Sequence, residues 1–511
     1  MVDKQKIIYV KGDVSGIQDF IFNVKSDGAA QELKGRSFFI KLLIEVAMRY
    51  LLDHFDVKGS AEIEQSKIST SGGNFIIKLP AVKEYETEIT KARQVFTNAL
   101  KFTGLNISIA FIEQSGDYKS DIKRLDSKCR EAKYRFYQDS YEYFSPLEKK
   151  KIADLSNKWA NFTSLIKTNK TFSINNVESK SDDLIITDKF VEIAGYKITF
   201  QNDVTGCLLD THLESLFPEK QHQATKDFKD LSESDFIDKR VCQLKEIKGG
   251  ESGLNKLGIL VLDVDGLGLK MESVTNEKEH SELDTSLRKF FNHRLRELIN
   301  DVNIVYRVRC KDGNNLSVPK FENKIYSVTA GGDDSFFVGK WNTILDFAIQ
   351  VNTEFRLNFP ELTISAGLIM VDPKFPVIRF ADLVENALKK AKYQYESKGN
   401  ICLFGEVIKW EMLKEIFEMR KQLGQKNITG GMLAKARLSA NTISNFDAFK
   451  LEDFWKMGYY LRDLDEQSKS SILNKIDSNI SKSIEEKDLQ KKQNYRKILP
   501  LAARLAELDK R

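Results

Sequence analysis

Two short strings recur along this chain at one fixed interval. Gly72-Gly73 and Gly331-Gly332 lie 259 residues apart, and Ala132-Lys133-Tyr134 and Ala391-Lys392-Tyr393 are separated by the same 259. An interval shared by two motifs marks an internal repeat, and a repeat obliges the chain to build one unit twice. The periodicity around the motifs agrees. In each half an apolar strand ends at a carboxylate, Asp13 or Asp263, and is followed by a helix, a hairpin at the glycine pair, a further strand and a last helix. The helices are expected at about 36–52 and 120–137 in the first half, and at 286–299 and 381–397 in the second. Asp13 and Asp263 stand 250 apart, so a nine-residue insertion or deletion separates carboxylate from hairpin between the copies.

The fold class is therefore α/β (α+β), with a first copy over 1–145 and a second over 251–410. Residues 146–250, lysine-rich and broken by polar turns, read as an inserted small or linker domain, and 411–511 as a C-terminal helical domain. A chain of 511 residues with 41% apolar and 30% charged residues, 8 prolines and 28 glycines is globular material, neither disordered nor collagen-like. Its five cysteines form no CxxC pair and its N-terminus has no secretory pattern, which points to the cytoplasm. No apolar run reaches the length of a membrane span. Only five histidines occur, none followed by Asp and none in an HxH or HExxH pattern, so a histidine-built metal nuclease or protease has no raw material. The net charge of +5 is uneven: residues 411–511 carry 20 Lys/Arg and 15 Asp/Glu, whereas the first 410 carry 59 of each.

In an extended strand alternate side chains share a face, so Asp263 and Asp265 project together while Val264 packs behind. Adjacent carboxylates need a cation between them, and hard oxygen ligands suit Mg²⁺ or Mn²⁺. Gly331-Gly332-Asp333-Asp334 has the form of a tight hairpin whose glycines admit close approach of phosphates. Set beside the Asp263 strand, it brings up to four carboxylates to one sheet edge, enough for metal-assisted displacement at phosphorus. Lys389 and Lys392, three apart on a helix, are positioned to meet a triphosphate. The first copy has Ser15 in place of Asp265 and Asn74-Phe75 in place of Asp333-Asp334. It has lost the metal charge but kept the glycines and Lys133, and reads as a half that binds a second nucleotide-like molecule.

Gly12-Asp13-Val14-Ser15-Gly16-Ile17-Gln18-Asp19-Phe20-Ile21-Phe22, Leu33-Lys34-Gly35-Arg36-Ser37-Phe38-Phe39, Ser71-Gly72-Gly73-Asn74-Phe75, Asp263-Val264-Asp265 and Gly331-Gly332-Asp333-Asp334 together resemble the large subunit of type III CRISPR effector complexes, the Cas-ten family of the Csm and Cmr assemblies. The likeness extends more loosely to Phe454-Trp455 and Tyr459-Tyr460-Leu461-Arg462 in the tail. It implies two facing ferredoxin-like palm domains that bind two nucleotides at their interface. It further implies target-RNA-activated joining of ATP into cyclic oligoadenylate messengers by the second palm, with other complex subunits, crRNA and target RNA as partners and no membrane. On that likeness Asp263, Asp265, Asp333 and Asp334 are the catalytic and Mg²⁺-binding set. Gly331, Gly332, Lys389 and Lys392 bind nucleotide in the second palm, and Asp13, Ser15, Gly16, Gln18, Gly72, Gly73, Asn74 and Lys133 in the first. Transfer of AMP to S-adenosylmethionine and a non-catalytic scaffold are the alternatives. Many members begin with an HD nuclease domain; here GDVSGIQ starts at residue 12, and no such activity is expected. Others carry a zinc ribbon between the palms, but Cys207, His212, His222 and Cys242 lack paired spacing, so no zinc is expected.

Overall fold

A computed structural model describes residues 6–24, 29–70, 72–82, 84–135, 158–166, 169, 171–177, 183–201, 207–208, 254, 256–300, 325–331, 334–425, 428–435, 437, 452, 455, 458–459, 461–462 and 466–510. The first copy contributes β1 (Ile7–Ser15), β2 (Lys67–Ser69), β3 (Asn74–Pro80) and β4 (Asn106–Glu113), which form an antiparallel sheet in the order β2-β3-β1-β4. An intervening sheet is built from β5 (Thr171–Asn176), β6 (Ile185–Ile186), β7 (Phe190–Ile193), β8 (Tyr196–Gln201) and β9 (Cys207–Leu208). The second copy contributes β10 (Leu257–Asp265), β11 (Ile325–Gly331), β12 (Asp334–Lys340) and β13 (Thr363–Val371), extended by β14 (Asn400–Leu403) and β15 (Glu406–Lys409). Its order β11-β12-β10-β13 repeats that of the first sheet. Both copies thus have the βαββαβ connectivity and strand order of a ferredoxin-like palm.

Strand alternation decides what covers each face. In the first sheet Ile8, Val10, Val14, Phe75 and Ile77 pack with helices Ala29–His54 and Tyr85–Ala99, while Tyr9, Ile76, Ala110 and Ile112 turn toward helix Tyr118–Arg135. In the second, Leu260, Leu262 and Phe337 pack with helix Trp341–Asn358 and with Phe290 and Phe291. Ile259, Val261 and Phe336 face helix Ile378–Tyr393 and, in one continuous core, the helices of the first palm. Residues of β5–β8 also join the first palm's core: Phe172 of β5, with Phe162 from the helical segment 158–166, packs against Phe38 of the Ala29–His54 helix. The C-terminal helices Met412–Leu423, Glu466–Glu485 and Leu489–Lys510 pack on the far side of the second sheet through Ile416, Ile472, Leu501 and Leu505.

Several element bounds differ from the sequence expectation for local reasons. The helix expected over 36–52 starts earlier and spans Ala29–His54. The one expected over 381–397 is Ile378–Tyr393, because Gly399 at φ 75° turns the chain into β14. The stretch expected as one helix over 286–299 contains a π-helical turn at Phe290–Arg294, which brings Phe290 and Phe291 onto the core together.

Candidate functional site

The two palms present matching strand ends. In the first, Asp13 lies opposite Asn74 on β3 and Ser108 on β4. In the second, Asp263 lies opposite Asp334 on β12 and Ser365 on β13. The ladder therefore matches Asn74 to Asp334, an interval of 260, and corrects the sequence alignment, which paired Asn74 with Asp333. Behind each strand end the helix unique to that face supplies an ammonium: Lys133 Nζ is 2.7 Å from Asp13 Oδ2, and Lys392 Nζ is ion-paired with Asp263 Oδ2.

Backbone geometry explains the glycines. Gly16, at φ 82°, turns β1 into helix Ile17–Phe22, and a Cβ there would stand 2.2 Å from Gly104 O. Gly73, at φ 83°, leaves no room for a Cβ beside Ile17 Cδ1, 2.4 Å away. No L side chain fits either position without strain.

Asp263 and Asp265 share a face, as alternation requires, but their surroundings differ. Asp265 is 7% exposed, and its carboxylate accepts hydrogen bonds from Thr363 Oγ1 (2.8 Å), Ser365 Oγ (2.8 and 3.0 Å) and Gly399 N (2.9 Å). It ties β10 to β13 and to the turn before β14. Asp263 keeps an accessible edge, with Lys392 as its cationic neighbour. Lys389 turns away from Asp263 and toward Glu385 on its own helix, 3.4 Å away. Gly332 and Asp333 lie outside the described residues, and Gly331 and Asp334 are described in backbone only. His212, His222 and Cys242 likewise lie outside them, and Cys207 is described in backbone only. Among the described residues no cluster of three or more His, Cys, Asp or Glu is arranged to hold a metal. The donor set at Asp263 nevertheless suits a hard divalent cation: one carboxylate at a sheet edge, already drawing an ammonium, with a second aspartate opposite it in register.

Between the palms is a cavity of about 650 Å³. Gln18, Gly72, Gly73 and Asn74 line it from the first palm, and Arg288 and His293 from the second. It reaches β10 at Val261, two residues before Asp263. Sequence reasoning picked out its glycine wall but missed Arg288 and His293, which sit on an amphipathic helix with no motif around them. The palms are held together beside it by Tyr9 Oη donating to Glu277 Oε1 (2.7 Å), Lys78 Nζ donating to Glu277 Oε2 (2.6 Å), and a 2.9 Å hydrogen bond between Tyr118 Oη and His280 Nδ1. Burial and the Glu277 bond push the Tyr9 phenol well above its ordinary range, so it stays a donor.

Residues 256–402, which carry the Asp263 strand, the GGDD hairpin and Lys392, match the family described as Cas10/Cmr2, second palm domain; residues 6–158 match Csm1 subunit domain B. The chain belongs to the Cas10 family, the large subunits of type III CRISPR complexes. It is similar to Cas10 proteins called "CRISPR system single-strand-specific deoxyribonuclease Cas10/Csm1 (subtype III-A)" from Methanocaldococcus jannaschii, at 24% identity over 81% of this chain and 61% of the relative, and from Mycobacterium tuberculosis, at 25% identity over 80% and 55%. It thus spans little more than half the length of these Cas10 relatives. Its fold matches the apo Csm1-Csm4 cassette with a TM-score of 0.70 at 19% identity, covering 98% of this chain and 70% of the other. The same cassette in complex with cA4 gives 0.69 at 18%, again over 98% and 70%. Among the described residues of this Cas10 chain, no helix is long and apolar enough to cross a membrane.

Proposed function

We propose that this chain is a nucleotidyltransferase that joins ATP molecules into cyclic oligoadenylates, with the second palm as catalyst and the first as holder of the acceptor nucleotide. The observation that carries this reading is the asymmetric repeat. Both palms keep an aspartate at the strand end with a lysine on it, but only the second sets another aspartate opposite in the ladder. One palm therefore has the carboxylate pair that a divalent cation needs, and the other has a polar, uncharged Asn74 in its place. The cavity between them suits a bound nucleotide in size and polarity. Solved Csm1-Csm4 cassettes with cA4, with cA3 and with one ATP support the same reading by likeness.

Asp263, with Asp334 or Asp333 from the hairpin, would hold Mg²⁺ or Mn²⁺. Held there, the metal would supply Lewis-acid stabilisation of the charge that develops on the α-phosphate and the leaving pyrophosphate. Lys392 neutralises Asp263 and stands ready for the phosphates, and glycines at 331 and 332, which carry no side chain, would admit them closely. Asp265, held by three donors, Thr363 Oγ1, Ser365 Oγ and Gly399 N, fixes the strand that aims Asp263. In the first palm Gly72, Gly73, Asn74 and Gln18 cradle the acceptor, whose ribose 3′-oxygen forms the new bond to the α-phosphorus as the bond to pyrophosphate breaks and the hydroxyl proton passes to water. Partner subunits, crRNA and a complementary target RNA would supply activation, and the basic C-terminal region would contact the assembly.

The test is to incubate the assembled complex with ATP, Mg²⁺ and cognate target RNA, with and without S-adenosylmethionine, and to identify products by mass spectrometry beside an Asp333→Ala/Asp334→Ala variant. Cyclic oligoadenylate from the wild type alone supports the proposal. An adduct that requires S-adenosylmethionine replaces the acceptor, and absence of any nucleotide product, or equal product from the variant, removes the enzymatic reading.

A further inference from the structure

The repeat places one contact between the palms at the same bulge in each copy, on opposite sides of the slipped rung. The ladder between β2 and β3 slips between Lys67 and Ser69, and that between β11 and β12 slips between Ser327 and Thr329. Counted from the matched pair Asn74 and Asp334, Ser69 opposite Ile76 and Thr329 opposite Phe336 occupy the same rung. Both palms therefore carry a bulge on the strand that leads into the glycine hairpin, and a bulge sets the direction in which the following residues run.

Each bulge is gripped by the other palm. Lys34, on the first palm's Ala29–His54 helix and 6% exposed, donates from Nζ to Ser327 O at 2.9 Å. Asp284, on the second palm's Glu277–Lys289 helix and 0% exposed, accepts from Ser69 Oγ at Oδ1 (2.8 Å) and from Thr70 N at Oδ2 (3.4 Å), with Arg288 Nε 2.9 Å from Oδ2. Lys34 and Asp284 stand 250 residues apart, the interval that also separates Asp13 from Asp263. The chemistry is complementary, since a cation grips a carbonyl on one side and an anion grips an N–H and a hydroxyl on the other. Side chains this buried and charged are costly except where their partners are fixed. Ser327 precedes the GGDD glycines by four residues, and Thr70 precedes Gly72 by two.

We propose that Lys34 and Asp284 are reciprocal positioning residues: the first palm sets the GGDD hairpin through Lys34, and the second palm sets the Gly72-Gly73 hairpin through Asp284. The hairpins' roles rest on the function proposed above, but the grip itself does not.

The experiment compares the full chain with Lys34→Met and Asp284→Asn by hydrogen–deuterium exchange and, in the assembled complex, by steady-state ATP turnover. Lys34→Met is expected to speed exchange over 325–331 and 334–340 about tenfold while leaving 67–70 and 72–80 unchanged, and to lower kcat at nearly constant KM. Asp284→Asn is expected to speed exchange over 67–70 and 72–80 and to raise KM at nearly constant kcat. If Lys34→Met does not fold, Lys34→Gln, which keeps a shorter uncharged donor, takes its place with the same expectation. Unchanged exchange at the hairpins, or faster exchange spread evenly over the chain, overturns the proposal. Local loosening as expected in a chain whose wild type makes no nucleotide product leaves the grip standing and removes the activity instead.

Discussion

Lys133 meets Asp13 at 2.7 Å in the first palm, in the place where Lys392 meets Asp263 in the second. The two pairs share a fold position and differ in what stands across the strand, Asn74 in one case and Asp334 in the other. A lysine on a lone aspartate completes a charge pair. A lysine beside an aspartate that faces another leaves negative charge for a metal to balance.

Lys392→Met is expected to lower adenylyl transfer by about 100-fold and to cost about 1–2 kcal/mol of fold stability, because the ion pair with Asp263, whose side chains are 19% exposed, loses one partner. Product formation by the complex and the thermal midpoint of the chain measure the two effects. A large fall in midpoint would make Lys392 a structural residue.

Asp263 and Asp265 are expected to separate under the same substitution. Asp265→Asn sets an amide donor against the hydroxyls and the N–H that the carboxylate now accepts from, and is expected to cost about 2–4 kcal/mol in urea unfolding. Asp263→Asn removes charge from a side chain that is 19% exposed and ion-paired with Lys392, and is expected to cost less than Asp265→Asn, about 1–2 kcal/mol. Equal costs would contradict the division between anchor and ligand.

Much of this site was legible in the sequence because the repeat prints it twice. The 259-residue interval locates both hairpins and both lysines, and alternation along the strand places Asp263 and Asp265 on one face. The capture of Asp265 was not legible, since its donors Thr363, Ser365 and Gly399 come from about a hundred residues away and belong to no motif. Lys389 shows the limit of helical spacing: three residues from Lys392, it turns to Glu385. The grips of Lys34 and Asp284 appear only once the palms are packed face to face. Part of the tail's positive charge is committed within the chain, since Arg420, Lys475, Lys482 and Lys497 pair with Asp509, Glu418, Glu415 and Glu406.

Gly367 packs β13 against helix Ile378–Tyr393, and a Cβ there would lie 2.5 Å from Val384 O and 2.6 Å from Leu388 N. Neither backbone atom can retreat without moving the helix that carries Lys392. Gly367→Ala is expected to destabilise the chain by about 2–3 kcal/mol and to depress product formation, although it touches no site residue. Wild-type melting and turnover would refute this.

Burial holds the His280 imidazole below its ordinary pKa, against the opposing pull of Asp284 and Asp126 and with Lys11 adding to the depression; Tyr118 Oη faces the ring. With the folded pKa lowered, the unfolded chain takes the proton first. Stability is therefore expected to fall as pH drops below about 6.5 and to be recovered above it. His280→Gln should flatten that limb of the urea-stability profile, and a limb unchanged in the variant would assign the effect elsewhere.

Charge removal at the exposed Lys487 and Lys491 by double substitution to Ala is expected to weaken assembly with crRNA and steepen its loss with salt, while the assembled fraction turns over ATP normally. Loss of turnover per assembled complex would place these lysines in the chemistry.

The most direct measurement of the central claim is ATP turnover by the RNA-activated complex carrying Asp263→Asn or Asp13→Asn. If the second palm is the catalyst and the first holds the acceptor, Asp263→Asn lowers kcat by about 100-fold or more, whereas Asp13→Asn raises KM and leaves kcat nearly intact. Equal losses of kcat in the two variants, or near-normal kcat in Asp263→Asn, would contradict it.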